Sequence, residues 1–567
     1  MAEHLVAAAE RARDPLFVSQ CNWQALRQRM PLPWPTPADI PPSPKAGYRS
    51  HYVYLGCDDL DEPGQWATLE PFDLALRLID FSPLRPQLAQ LLGWTSARGQ
   101  VPFDPVSVFL LVGWQVTNGW NRSQALRHLR QPRYADYAQR FGFHDRVYPS
   151  EGGMRYFLTT LGRNSQAHGE IITITDDEQQ LVAVAVQRLN HLLAQSLSLI
   201  RQTDLLSPQV WSQALICPDG MLHPAASRLD CTAVSDTCYQ PTSPAKPRPC
   251  PARNKERQGC DCATLACQAA CRHAPSRDPE ARFVWYSGSN QPQNSPNRPV
   301  DPSQAVRSKG KGVYGYRSLP LQLVDPARHF SLVLLDDFRP ANQHEEIPVA
   351  ALLKQLPTFY PDLQVDAVVG DAGFGYDCVL STIYRDLHAR RVVDLRRHET
   401  DQNKALWSVR HYDDMGRPIC SFGYAYTANG FDYQRQRHKW FCQQACRQGA
   451  QPVIPLPAGV TPDPCPYASQ EHYPHGHLIN IAERFSDGSI RLVRDLPFQS
   501  PAWERLYHQA RNAVEGRNAA CLRWDLKRLP VFGLLRARAL DFLTDLWLNL
   551  TTLTRLVAEA TAACRSP

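Results

Sequence analysis

Apolar residues recur at three- and four-residue spacing through Val106 to Gln115, Ser123 to Leu129 and Leu181 to Leu199, which predicts helices over these stretches. Ser150 follows Pro149 and precedes Met154, Tyr156, Phe157 and Leu158, so it is placed to cap another helix. Residues 1–205 therefore read as a helical N-terminal domain. Its bland role is packing or dimerisation; its functional one is phosphate contact through Arg122, Arg127, His128, Arg130 and Arg133. After Trp211 the texture changes. Arg282 to Tyr286, Pro320 to Val324, Phe330 to Leu335, Ala367 to Gly370 and Arg391 to Leu395 are short runs of β-branched, aromatic and aliphatic residues, which predict strands. Glu346 to Leu356 and Cys378 to Leu387 read as helices between them, and the alternation predicts an α/β fold with a mixed sheet. Two blocks interrupt it, a Cys/Pro-rich one at 228–273 and an irregular one at 398–494, and both read as insertions. Ala502 to Ala563 returns to helical texture, broken at Pro530.

Two apolar runs end in an acid followed by a turn. Asp366 to Gly370 delivers Asp371 to Ala372-Gly373, and Ala214 to Pro218 delivers Asp219 to Gly220. Buried strands of α/β proteins present ligands at such ends. A late helix carries Arg511 and Glu515, so three dispersed acids suggest one metal cluster. Each has a simpler reading: turn aspartates bonding their own backbone, and a solvated pair one helical turn apart. Asp230, Asp236 and Asp336-Asp337 compete for the first position, but Asp219 alone combines a preceding apolar strand, a glycine and an Ala-x-Ser-like tail.

Length and charge narrow the picture only partly. At 567 residues two or three domains are expected, and 48 prolines imply many loops. A net charge of +6 is too small to name a polyanionic partner, yet Arg385 to Arg397, Arg435 to Lys439 and Arg505 to Arg538 are locally basic. Solvated helix faces explain such stretches as readily as nucleic acid does. The longest apolar run, Val106 to Val116, is short of the roughly 20 residues of a membrane span, and the first residues lack a signal-peptide pattern. A cytoplasmic protein with reduced or metal-bound cysteines is expected.

The motifs in order resemble those of insertion-sequence transposases of the DDE type. Asp219 to Ser227 looks like the first-aspartate motif, and Asp278-Pro279-Glu280-Ala281-Arg282 is similar to the Asp-Pro-Asp-Ala segment before the second strand. Tyr314-Gly315-Tyr316-Arg317 and Pro340 to Glu345 resemble the segments that follow. Gly370 to Phe374 looks like the second-aspartate motif, and Arg511-Asn512-Ala513-Val514-Glu515 like the Arg-x-x-x-Glu helix. His508 stands where the family often has tyrosine, with Tyr507 one residue earlier, and Leu522 stands where a basic residue is common, with Arg523 beside it.

The resemblance spans about residues 210 to 550, and more weakly Val101 to Leu161. It implies a ribonuclease-H-like catalytic domain at 206–550 and a DNA-end-binding role for the helical segment. Asp219, Asp371 and Glu515 would be catalytic ligands of Mg²⁺ or Mn²⁺, and Arg511, Tyr507, Arg523, Lys527 and Arg317 would contact DNA, joined by Lys309 and Lys311. The activity implied is nicking of double-stranded DNA at element ends and joining of the 3′-hydroxyl to target DNA, by a homodimer. A transposase-derived DNA-binding protein without catalysis, and a metal-dependent nuclease that does not join, are the alternatives.

The remaining chemistry is sulfur. Cys231, Cys238, Cys250, Cys260, Cys262, Cys267, Cys271 and His273 crowd into a segment with few large apolar residues, which makes them candidate Zn²⁺ ligands, although no Cys-x2-Cys pair occurs. Free thiols are the alternative. Cys420, Cys442, Cys446 and Cys465 form a sparser second set of candidate Zn²⁺ ligands, in which Cys442-x3-Cys446 can place two ligands on one helix face, a spacing that unrelated cysteines show equally well.

Overall fold

The computed structural model describes residues 27–45, 47–57, 63–94, 96–97, 99–163, 184–226, 239–240, 248–249, 278, 280–285, 312–341, 343–393, 411–412, 417–420, 422–453, 467, 471–482 and 501–563. Its principal helices are α1 (Pro71–Leu78), α2 (Pro105–Thr117), α3 (Arg122–Leu129), α4 (Glu151–Leu161), α5 (Val184–Gln202), α6 (Glu346–Phe359), α7 (Pro501–Arg523) and α8 (Leu534–Ala563). Their starts follow capping chemistry. Asp104 accepts from the Val106 amide, Asn121 and Gln124 form a reciprocal capping box, and Ser150 accepts from the Gly153 amide. The stretch expected as one helix from Cys378 to Leu387 is an α-helical turn at Asp377–Ser381 continued by a π turn at Thr382–Asp386.

The N-terminal helices do not enclose a core of their own. One apolar core runs from Leu32 to Ala560, and α8 passes through it. Trp547 of α8 is fully buried, with ring centroids 4.9 Å from Phe72, 6.1 Å from Phe81 and 5.8 Å from Phe109. Gly113 on α2 makes room for it, because a Cβ there would lie 2.1 Å from the indole. Asn549, one turn beyond the preceding polar Asp545, bonds both the amide and the carbonyl of Val333 at 2.9 Å and also Ser196 of α5. The last helix thus stitches the N-terminal helices to the sheet.

That sheet is built from β1 (Ala214–Pro218), β5 (Leu321–Asp325), β6 (Phe330–Leu335), β8 (Val365–Gly370) and β9 (Arg390–Val393), in the order β6-β5-β1-β8-β9. β6, β5 and β1 form an antiparallel meander, while β8 and β9 run parallel to β1. Side chains alternate across the pleat. Leu215, Cys217, Ala367, Val369 and Val392 face α7 with Trp503, Ala510, Ala513 and Val514, whereas Ile216, Val368 and Val393 join the large core. Burial on both faces explains why these strands read as continuous apolar runs.

A second sheet carries β2 (Met221–Pro224), β3 (Arg282–Trp285), β4 (Gly312–Ser318) and β7 (Phe338–Pro340), all antiparallel to the central β4. The later block, expected as irregular, contains a three-stranded antiparallel sheet, β10 (Thr427–Asp432), β11 (Arg437–Phe441) and β12 (Leu478–Ala482). β10 is largely exposed and contains Gly430, so no alternation of apolar and polar residues announced it. Among the described residues no helix is long and apolar enough to cross a membrane.

Candidate active site

Asp219 and Asp371 leave the sheet at the same end. Val368 is paired with Ile216 in the parallel β1–β8 ladder, so three residues further along each chain brings Asp371 level with Asp219, about one strand spacing of 4.8 Å away. Asp219 is almost fully buried. Its Oδ1 accepts from Arg511 Nη1 at 3.1 Å and its Oδ2 from Asn518 Nδ2 at 2.9 Å. Asp371 Oδ1 accepts from the Gly373 amide at 2.8 Å, closing the short turn after β8. Both the turn-aspartate reading and the shared-site reading of Asp371 are therefore compatible with its place.

A residue that sequence reasoning gave no role stands beside the pair. Glu345, at the start of α6, packs so closely that a Cβ on Gly220 would lie 3.0 Å from its Oε2 and one on Gly373 4.0 Å from it. Arg317 Nη1 holds its other oxygen at 2.9 Å. Burial raises the Glu345 pKa; Arg317 opposes the shift, and Asp371 and Asp219 add to it. Burial disfavours the Arg511 cation, but Asp219, Cys217 and Asp371 outweigh it and hold Arg511 above its ordinary value. Burial pushes the Cys217 thiol beneath them up to about 12. The signal for Glu345 was present in the Pro340 to Glu345 motif, which ends on this acid.

Glu515 lies between the two α7 residues that grip Asp219. At 100° per residue it is about 40° round the helix from Arg511 and about 60° from Asn518, so it shares the face turned to the aspartates. Its side chain is exposed. Arg317 lies in the site as the partner of Glu345, and Arg511 as the partner of Asp219. Tyr507, one turn before Arg511 and about 40° round the helix from it, stacks its ring on Trp503 at 4.4 Å and packs between α7 and the sheet. Arg523 is exposed at the end of α7, roughly 120° round from Arg511, and Lys527 is exposed in the connection to α8. Neither Arg523 nor Lys527 contacts the aspartates among the described residues. Lys309 and Lys311, and Cys231, Cys238, Cys250, Cys260, Cys262, Cys267, Cys271 and His273, lie outside the described residues.

Among the described residues a different acidic group is the tightest. Ligand atoms of Asp336, Asp541 and Asp545 all lie within 4.8 Å of one another, fully buried beneath the site. A cation already occupies it: Arg517 Nε and Nη2 donate to the two oxygens of Asp545 at 2.7 and 3.0 Å, and Nη2 lies 3.4 Å from Asp541. Burial raises Asp336 well above the carboxylate range, with Asp541 and Asp545 adding to the shift and Arg517 opposing it. Burial and Arg517 drive neighbouring His223 down to about 3, leaving it neutral. We read this group as the anchor of α7, because Arg517 directly precedes Asn518. It also disposes of Asp336-Asp337 as a rival first aspartate, both being sealed in the core. Paired acids one turn apart inside the apolar α8 were the available sequence signal.

No protein-family model matches the chain, and no curated protein matches it significantly.

Proposed function

We propose that this chain is a metal-dependent DNA transposase of the DDE type, with a ribonuclease-H-like catalytic core. The observation that carries the reading is the juxtaposition of Asp219 and Asp371 at the ends of adjacent parallel strands, with the Glu515 face of α7 laid against them. An antiparallel meander on one side of β1 and parallel strands on the other support the fold assignment.

The donor set fits a hard divalent cation. Carboxylates crowd together here strongly enough that Asp371 and Asp219 bear on the ionisation of Glu345, and all the donors are oxygens. Asp219, Asp371 and Glu515 would hold Mg²⁺ or Mn²⁺, which when bound activates a hydroxyl nucleophile and stabilises the leaving oxygen of a phosphodiester. The protein's part is positional. Arg511 and Asn518 fix both oxygens of Asp219, the Gly373 amide fixes Asp371, and Arg317 fixes Glu345. Double-stranded DNA is the substrate in this reading, bound as a homodimer.

One observation favours the inactive DNA-binding reading: both oxygens of Asp219 are already engaged. A single assay separates the two. Wild type and Asp371→Ala are incubated with DNA carrying the sequences that flank the coding region, with Mg²⁺ or with chelator. Metal-dependent cutting and joining by wild type alone is the expected result. Cutting retained by Asp371→Ala would refute the site; end binding without cutting by either protein would establish the inactive reading; cutting without joining would make it a nuclease.

A further inference from the structure

Among the described residues of the β10–β12 sheet and its turns, two clusters of three buried residues are found, Phe422, Tyr424 and Tyr467 in one and Tyr426, Trp440 and Ile481 in the other. Cys420 packs on both clusters, Cys446 on the first and Cys442 on the second.

Three turns converge on these sulfurs. The Cys420 amide donates to Tyr424 O at 2.9 Å and Gly423 N to Cys420 O at 3.0 Å; Ala445 N donates to Cys442 O at 3.1 Å; Gly476 N donates to Tyr473 O at 2.9 Å. Gly476 has φ 67°, and a Cβ on it would lie 2.3 Å from Cys442 Sγ. Gln443 and Gln444, directly after Cys442, hold φ of 49° and 54°. Consecutive left-handed non-glycine residues are strained, and such strain concentrates at ligand clamps. Backbone donors also point at sulfur. The His477 amide donates to Cys442 Sγ at 3.1 Å, and the amides of Phe422 and Tyr424 serve Cys420. N–H donors to sulfur stabilise thiolate, which is the form that binds metal.

We propose that Cys420, Cys442 and Cys446 bind one Zn²⁺ that staples this module between the Asp371 strand and the Glu515 helix. Zinc is favoured because it takes thiolate ligands in closed structural sites and needs no redox partner. Three S–H bonds break, three Zn–S bonds form and three protons pass to solvent, while the fourth position goes to water or another protein donor. The sulfurs are not all within 4.8 Å of one another, so binding draws the turns inward.

The test is metal content of the purified full chain, wild type against Cys442→Ser/Cys446→Ser. The expected result is a loss of one zinc per chain in the variant, independent of any zinc held by the earlier Cys-rich block. Cobalt-loaded wild type should show thiolate charge-transfer absorption that falls in the variant. Should the variant fail to fold, Cys420→Ser and chelator treatment of wild type replace it, with proteolytic protection of 417–482 as readout. Equal zinc content in wild type and variant, or protection unaltered by chelator, would overturn the proposal.

Discussion

Arg517 offers the sharpest test of how the site is positioned. Its guanidinium is about 1% exposed and is shared by Asp545, Asp541 and Ser318 Oγ, the last at 3.2 Å. Arg517→Met keeps much of the volume but leaves buried carboxylates without their cation, a change that costs about 3–5 kcal/mol. At roughly 2 °C per kcal/mol in a large chain, the Tm should fall by about 6–10 °C. The loss should depend on pH. In the wild type, burial already raises Asp545 to about 6 against the pull of Arg517, and removing that pull raises it further. A carboxyl whose folded pKa lies above its unfolded value contributes stability that is complete below the unfolded value and is lost as pH climbs through the folded one. The variant should therefore be nearest to wild type at about pH 5 and furthest at about pH 8, measured by calorimetry at each pH. Arg517→Met/Asp545→Asn should recover part of the loss, since the orphaned charge is gone. An equal Tm deficit at both pH values, or no recovery in the double variant, would refute the reasoning.

Asn518→Ala removes one of the two donors that orient Asp219 and should raise the Mg²⁺ concentration needed for cleavage about 10–100-fold; an unchanged Mg²⁺ titration midpoint would exclude a positioning role. Glu345, whose pKa is raised mainly by burial, should place a limb in the pH–rate profile above the ordinary carboxylate range, activity rising as it ionises. Glu345→Gln should abolish that limb, and a profile identical to wild type would remove Glu345 from the site. Gly113→Ala should cost roughly 1–3 kcal/mol, because its Cβ would collide with the Trp547 ring at 2.1 Å. Trp547→Leu in the same chain should relieve part of that cost in unfolding experiments.

Local chemistry was legible in the chain itself. Strands buried on both faces are nearly all apolar whatever lies beside them, so β1, β5, β6, β8 and β9 could be located, and Asp219 and Asp371 recognised at their ends. The Ser150 cap and the break near Pro530 followed from backbone stereochemistry, which needs no tertiary partner. The face shared by Arg511, Glu515 and Asn518 follows from helical period alone.

What the helix face meets is a matter of three-dimensional packing. That Arg511 and Asn518 both grip Asp219, almost 300 residues away, depends on the register of α7 against β1, which the buried Arg517 and the acids of α8 maintain. Glu345 enters the site because the loop before α6 returns across Gly220. The exposed β10 strand was hidden, since exposed strands carry no apolar period, and although Cys420, Cys442 and Cys446 could be grouped from the chain, only folded turns show them packing together. Sequence by itself determines which residues are able to do chemistry and where each sits on its own strand or helix; tertiary structure decides which of them share a space, because electrostatic and hydrogen-bonding forces act over a few ångströms while the residues involved are separated by hundreds of positions in the chain.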